Sequence, residues 1–481
     1  MKENEETNQS LESVVQRTEQ ALAIALRPAL GGFAVFFVCL NFLFIFCRFQ
    51  EVIPILGTIR LPLVITLLTV VITISKFRAG YSKQLGLILF FLAVEACRNL
   101  VGKLIVDDFV RNDQWAFQCW YNIVFFVLAV VAPLGAMCGT YNGLKTLSKV
   151  WLFVGLYLGL FSLTHGGKGP GGIVGDENDL AYAILVFFPL GMFLLSEKMG
   201  VKPVSRIITF LIVLVSLGGI IASFSRGGFL GLLVVSLGFF VYSRRKVMLA
   251  VLGIIFTLAL IPAISNEYIN EMRSITKVNE GTAATRLHFW DVGLRVFKDP
   301  RNTLTGVGMG NLKYRLADYE TSADTRDGPS IGGRAVHSVY VDILGDLGIW
   351  GVLVIGTLIG RSILWNTRTS KLSERLLKQI AIHAPMKLSS SEKEQSASEE
   401  HKRNLLWRNA QRSSEMMAVF ALALNISILA FLSAGAFVSV LYYPQIWIII
   451  GLSGSLYKHQ VNLVRISENL FDKIEPESKD K

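Results

Sequence analysis

The sequence predicts an all-α polytopic membrane protein with about twelve transmembrane helices and a long periplasmic loop containing interfacial helices. Three observations predict it. Of 481 residues, 52% are hydrophobic and 17% charged, too apolar for a soluble chain of this length. The apolar residues gather in runs that approach the roughly 20 residues needed to cross about 30 Å of hydrocarbon. The basic residues behind a formal charge of +11 fall in short clusters between those runs, as a positive-inside bias requires. Their expected partner is therefore membrane lipid, with no nucleic acid implied.

Residues 1–28 are polar and acidic (Glu3, Glu5, Glu6, Glu12, Glu19), unlike a cleavable signal peptide. They are expected to be a cytoplasmic segment, with the first span as the targeting signal. Residues 29–264 hold the first nine expected spans, with cores near Ala29–Cys47, Leu61–Ile74, Leu85–Val106, Trp115–Cys138, Val150–Leu163, Leu180–Leu195, Ile207–Phe224, Phe229–Tyr242 and Val247–Ile264. Residues 265–336 form the long periplasmic loop, 337–365 the tenth helix, 366–414 a cytoplasmic polar loop, 415–456 the last two helices and 457–481 a cytoplasmic tail.

With both termini cytoplasmic, the clusters Lys76/Arg78/Lys83, Lys145/Lys149, Lys198/Lys202/Arg206 and Arg244/Arg245/Lys246 all fall inside. The Ser/Glu/Lys-rich Ser389–Glu400 reads as a flexible linker. The cysteines Cys39, Cys47, Cys97, Cys119 and Cys138 lie in or beside spans, so they read as packing residues and imply no disulfide framework.

Chemistry on the outer face must come from the outer connections. Arg226, in Ser223-Phe224-Ser225-Arg226-Gly227-Gly228, sits between two spans at headgroup level. There a guanidinium can grip phosphate in a bidentate way, or simply snorkel to lipid phosphates. From Thr285-Arg286 the residues Leu287, Trp290, Leu294 and Phe297 recur at helical spacing, which places Arg286 at the start of an amphipathic helix, where free amides add to its attraction for anions. An ordinary interfacial helix would show the same spacing. The run Gly306-Val307-Gly308-Met309-Gly310 follows no clear strand and reads as turns rather than a phosphate loop.

Of the outer histidines, His165 lies in a glycine-rich loop and His288 on a helix face. His337 opens the tenth span, where its ring can meet both a lipid-linked substrate and water, although a histidine there is often only a polar cap. Glu95 and Arg98 are three apart and can pair. Asp342 and Asp346 can each orient an imidazole or pair with a base on another span, and spacing leaves the choice open. Asp176-Glu177-Asn178-Asp179 admits a divalent-metal reading, but a helix cap is the better one, so no metal site and no cofactor is expected.

In their order, Gly175–Ala181, Ser223–Gly228, Arg286–Gly310 and His337-Ser338-Val339-Tyr340 running into Gly345–Gly351 resemble the bacterial O-antigen ligase superfamily. That superfamily includes O-antigen polymerases and protein O-oligosaccharyltransferases. The resemblance covers about Asp176 to Gly351. It implies a metal-independent inverting glycosyltransferase of the inner membrane that takes a glycan from undecaprenyl diphosphate at the periplasmic face. In ligases the acceptor is a hydroxyl of lipid A-core; other members use another glycan or a protein. On matching positions, His337 is the implied base, and Arg226 and Arg286 the implied diphosphate ligands. Ser338 and Asp346 depart from the Asn and Glu common in the family.

Readings from other classes are a twelve-span secondary transporter and a sensor whose loop binds a partner. Against the transporter stand the lack of repeat symmetry and the unbalanced outer loop.

Overall fold

The computed structural model describes residues 16–105, 112–195, 202–242, 246, 281–322, 324, 330–383 and 395–474. Its regular elements are all helical. The principal helices are α1 (Gly32–Cys47), α2 (Leu61–Thr73), α3 (Lys83–Ile105), α4 (Asp113–Phe126), α5 (Tyr141–Thr164), α6 (Glu177–Met192), α7 (Pro203–Ala222), α8 (Arg226–Tyr242), α9 (Gly281–Lys298), α10 (Gly348–His383), α11 (Gln395–Ala434) and α12 (Pro444–Ile474).

Among the described residues, six helical stretches are long and apolar enough to cross a bilayer: Leu61–Gly80, Asp113–Met137, Tyr141–Thr164, Pro203–Ala222, Val339–Ile382 and Asn404–Phe437. The shorter apolar helices α1 and α8 fall on further expected cores, as do α3, α6 and the first half of α12. The chain is an all-α polytopic membrane protein. The ninth expected core, Val247–Ile264, lies outside the described residues, as does the start of the long loop.

The core is centred on α11, which packs against α6, α8, α10 and α12. Met416, Phe420, Leu424 and Phe431 of α11 and Trp447, Ile448 and Ile449 of α12 are almost wholly buried. The apolar half of α11 is enclosed by these neighbours, as a span hydrophobic all round is when it runs inside a bundle. Small residues allow the closest approaches. A Cβ on Gly219 of α7 would lie 2.6 Å from the Cα of Gly159 of α5, and the Ser162 hydroxyl donates to the Gly219 carbonyl across this seam at 2.8 Å.

Residues 366–414 differ from the expected polar loop. They are helical over 366–383 and 395–414, continuing α10 and opening α11. These charged extensions are held by packing and paired polar groups, which apolar periodicity does not register. The Ser373 hydroxyl donates to the Ser414 carbonyl at 2.8 Å. Arg375 pairs with Glu468 of α12 at 2.8 Å, and Lys378 pairs with Glu374 one turn away at 3.2 Å. The proposed linker Ser389–Glu400 is described only from Gln395, where it is helical. Residues 457–474, expected as tail, continue α12.

The long loop folds on its own small core. Phe289, Val292 and Val296 of α9 pack with Val307, Leu312, Leu316, Ile331, Val336 and Val341. The buried stripe of α9 is thus 289-292-296 rather than the expected 287-290-294-297, and Leu287 is 41% exposed. The helix carries two overlapping apolar stripes, and the loop's own residues cover the second. It also begins at Gly281, so Arg286 stands in its second turn and not at its start. The argument that free helix-end amides assist Arg286 therefore falls away.

Candidate active site

Four segments meet at the loop end of the bundle. The first is the turn into α8. Ser225 caps that helix by accepting the Gly228 N–H at 3.0 Å, which makes Arg226 its first residue. The preceding Phe224 is held at φ 53. A Cβ at Gly228 would lie 2.7 Å from that of Ala181, so this turn is pressed onto α6. The Ser225 hydroxyl also donates to the Asn178 side-chain oxygen at 2.8 Å.

Asn178 belongs to the second segment, the acidic run at the head of α6. Asp176 accepts the Asn178 backbone N–H at 2.8 Å and its side-chain amide at 3.1 Å, the local bonding of a helix-capping carboxylate. Asp179 accepts the Tyr443 hydroxyl at 3.1 Å. Among the described residues, no group of three or more His, Cys, Asp or Glu side chains is placed to hold a metal ion.

The third segment is α9 with the non-helical stretch leading to His337. The Trp290 indole donates to the Val336 carbonyl at 3.0 Å, which ties the helix bearing Arg286 to the residue before His337. The His337 backbone is left-handed, φ 53, a conformation that costs a non-glycine residue about 1–3 kcal/mol and persists only where the surroundings enforce it. His337 precedes the span that begins at Val339. Burial, aided by the charges of Arg286 and Arg334 and opposed by Asp176, holds its pKa below the ordinary 6.5. Arg334 itself lies over the Phe289 ring, 4.9 Å from its centroid.

The fourth segment, residues 437–443 between α11 and α12, was not singled out from sequence. Phe437 stands where a Cβ on Gly227 would touch its own Cβ at 3.1 Å. Its ring centroid is 6.5 Å from that of Trp290. Ser439 accepts the His337 N–H at 3.1 Å. Gly227 next to Arg226, Trp290 one turn from Arg286, and His337 itself, on three elements far apart in sequence, thus all meet this one turn.

Beneath the site the span is broken by a π-helical turn, Ile343–Leu347. Asp346, in this break, accepts the Leu312 N–H at 2.6 Å and the Tyr442 hydroxyl at 2.9 Å. Tyr442 in turn accepts the Gly310 N–H at 3.0 Å. The glycine run wraps the break: Val307 and Gly308 donate to the carbonyls of Gly345 and Asp346, each at 2.9 Å. Asp346 therefore docks the long loop onto the span and does not orient the imidazole, and the glycine amides are spent on protein acceptors.

Arg98 pairs with Glu95 at 3.0 Å and donates to the Asp346 carbonyl at 3.4 Å, while Glu95 accepts the Trp350 indole N–H at 3.2 Å. This buried pair braces the same break from α3. Asp342, one turn above Asp346, is buried at 9% exposure.

Three other histidines, His165, His288 and His459, have structural partners. His165 stacks on Phe161 with ring centroids 3.9 Å apart and contacts the Phe161 carbonyl at 3.0 Å. His288 is 3.6 Å from Asp324, and Asp324 also accepts from Arg295 at 2.6 Å. On the opposite side of the bundle, His459 contacts the Gly135 carbonyl at 3.1 Å.

Residues 211–356 match the family model described as O-antigen ligase. The matched stretch contains Arg226, Arg286, His337 and the helix break, and stops short of residues 437–443. No match to the chain is found among curated proteins.

Proposed function

From the premise that residues 211–356 form an O-antigen ligase family domain, we propose that this membrane protein is an inverting glycosyltransferase. It moves a glycan from undecaprenyl diphosphate to a hydroxyl of lipid A-core on the periplasmic face of the bacterial inner membrane. The observation that carries the reading is the bond from Trp290, on the helix of Arg286, to the Val336 carbonyl at 3.0 Å, which sets that helix beside His337 at the mouth of a span.

A lipid diphosphate is already an activated leaving group. The reaction then needs one base and positive charge on the phosphates. In the proposed step His337 takes the acceptor hydroxyl proton, and the oxygen attacks the anomeric carbon from the face opposite the diphosphate. The carbon–oxygen bond to phosphate breaks, with its electron pair leaving on the diphosphate. Arg226 and Arg286 meet that charge in bidentate fashion. A histidine whose pKa lies below 6.5 is neutral at pH 7, the state a base requires. No metal is required by this scheme.

The test is transfer by purified protein from a lipid-diphosphate glycan to lipid A-core, with and without EDTA. Transfer that persists in EDTA supports the scheme. Loss restored by a divalent ion would return Asp176 and Asp179 to consideration as metal ligands. Activity only with a second lipid-linked glycan, or only with a protein acceptor, would make the protein a polymerase or a protein glycosyltransferase working through the same residues.

A further inference from the structure

We infer that Ser439 is the positioning residue for His337, so that the turn between the last two helices, outside the matched family domain, is part of the catalytic apparatus. The inference rests on the proposed role of His337 as base.

Ser439 lies 102 positions from His337 in sequence, yet its hydroxyl accepts the His337 backbone N–H at 3.1 Å. One hydroxyl thus holds the backbone just before the span. This is where the chain departs from ordinary geometry, since His337 is at φ 53 and Ser338 returns at once to φ −156 before the helix starts at Val339.

A lone left-handed histidine relaxes unless something over-determines it. Two bonds do so here. Trp290 holds the Val336 carbonyl on one side at 3.0 Å, and Ser439 holds the His337 N–H on the other. The Trp290 bond lies in the matched domain and ties His337 to the Arg286 helix. The Ser439 bond ties it to the bundle core, because Val438 and Val440 on either side are buried. Neither neighbour can replace the hydroxyl, both being valines. Loss of the hydroxyl would therefore strand the His337 backbone donor.

The experiment measures transfer kinetics for Ser439→Ala, Ser439→Thr and Ser439→Cys, each alone and combined with His337→Ala. Ser439→Ala should lower kcat by about 10- to 100-fold, the effect of displacing a reacting group by about an ångström, with the donor KM within about twofold. Ser439→Thr, which keeps the hydroxyl, should restore most of the rate. In the His337→Ala background, Ser439→Ala should have no further effect, because there is no base left to place.

Wild-type kcat in Ser439→Ala, or equal fractional losses with and without His337, would overturn the inference. If Ser439→Ala does not accumulate, the threonine and cysteine arms decide. Threonine must retain activity, and cysteine, a weaker acceptor of similar size, must lower kcat without raising donor KM and must lose that effect when His337 is absent. Should His337→Ala itself be fully active, the base assignment fails. Loss in His337→Ala with no loss in Ser439→Ala removes only the inference made here.

Discussion

The Trp290 indole N–H donates to the carbonyl of Val336 at 3.0 Å, which joins the helix that carries Arg286 to the backbone that carries His337. Val336 is 1% exposed, so the indole is the partner its buried carbonyl has in this bond. Trp290→Phe keeps a smaller aromatic ring and deletes the donor. We expect it to destabilise the loop by about 1–3 kcal/mol, the cost of an unmet buried acceptor, and to lower transfer more than donor binding. Equal melting temperatures for Trp290→Phe and wild type would show that this bond does not couple the two elements.

Arg226 and Arg286 are expected to contact the donor diphosphate. Replacing either with alanine should lower transfer by about 10²- to 10³-fold, the usual effect of removing a transition-state donor, while the protein still inserts and accumulates. Lysine should rescue only in part, because a point charge does not reproduce the planar fork that binds two phosphate oxygens. Full activity of both lysine variants would reduce the role to general attraction of an anion.

The pH dependence follows from the groups around His337. Burial, Arg286 and Arg334 all lower its pKa, and Asp176 opposes them. The base works in its neutral form, so transfer should hold as pH falls to about 6.5 and decline only below that. Removing a positive neighbour makes protonation easier, so Arg334→Gln should move the acid limb to higher pH. Asp176→Asn should move it lower. Limbs that do not shift in these directions would mean that another group titrates.

The glycine run is expected to be structural. Gly306 has φ 67, and a Cβ there would stand 2.3 Å from the Asp346 backbone carbon. Gly306→Ala should therefore destabilise the protein by about 2 kcal/mol or more, read as a lower thermal midpoint in detergent. An unchanged midpoint with weakened donor binding would favour a phosphate-cradling role instead.

Much of the bundle was legible because a membrane span announces itself by length and apolarity. Leu61–Thr73, Pro203–Ala222 and Arg226–Tyr242 begin and end close to where their apolar runs do. The expected Glu95–Arg98 pair also forms, since spacing on one helix fixes its geometry. Contacts made across the fold were not legible. Ser439 and Phe437 reach His337 and Trp290 through packing that no local pattern encodes. The buried stripe of α9 was misread because Leu287 and Phe289 both fit a helical period, and only the loop's own core selects between them. Residues 366–383 were read as loop because a charged helix that leaves the membrane keeps its helicity through partners such as Glu468, not through apolar spacing.

The site reading also depends on which side the long loop faces. Single cysteines at Ser322 and Ser390 in a cysteine-free protein should differ in labelling by a membrane-impermeant thiol reagent. Ser322 should react in cells with a permeable outer membrane, and Ser390 only after lysis. The reverse pattern would put the candidate site on the cytoplasmic face and end the periplasmic mechanism.

The central claim is that His337 is the base, and a paired assay of His337→Ala tests it most directly. Donor binding, measured with lipid-diphosphate glycan, should stay near that of wild type, because the arginines rather than the imidazole contact the phosphates. Transfer should fall by about 10²- to 10⁴-fold, the contribution of a positioned general base, while His288→Ala, whose ring instead faces Asp324 at 3.6 Å, keeps its activity. Near wild-type transfer by His337→Ala, with loss in His288→Ala, would contradict the account and move the base onto the helix of Arg286.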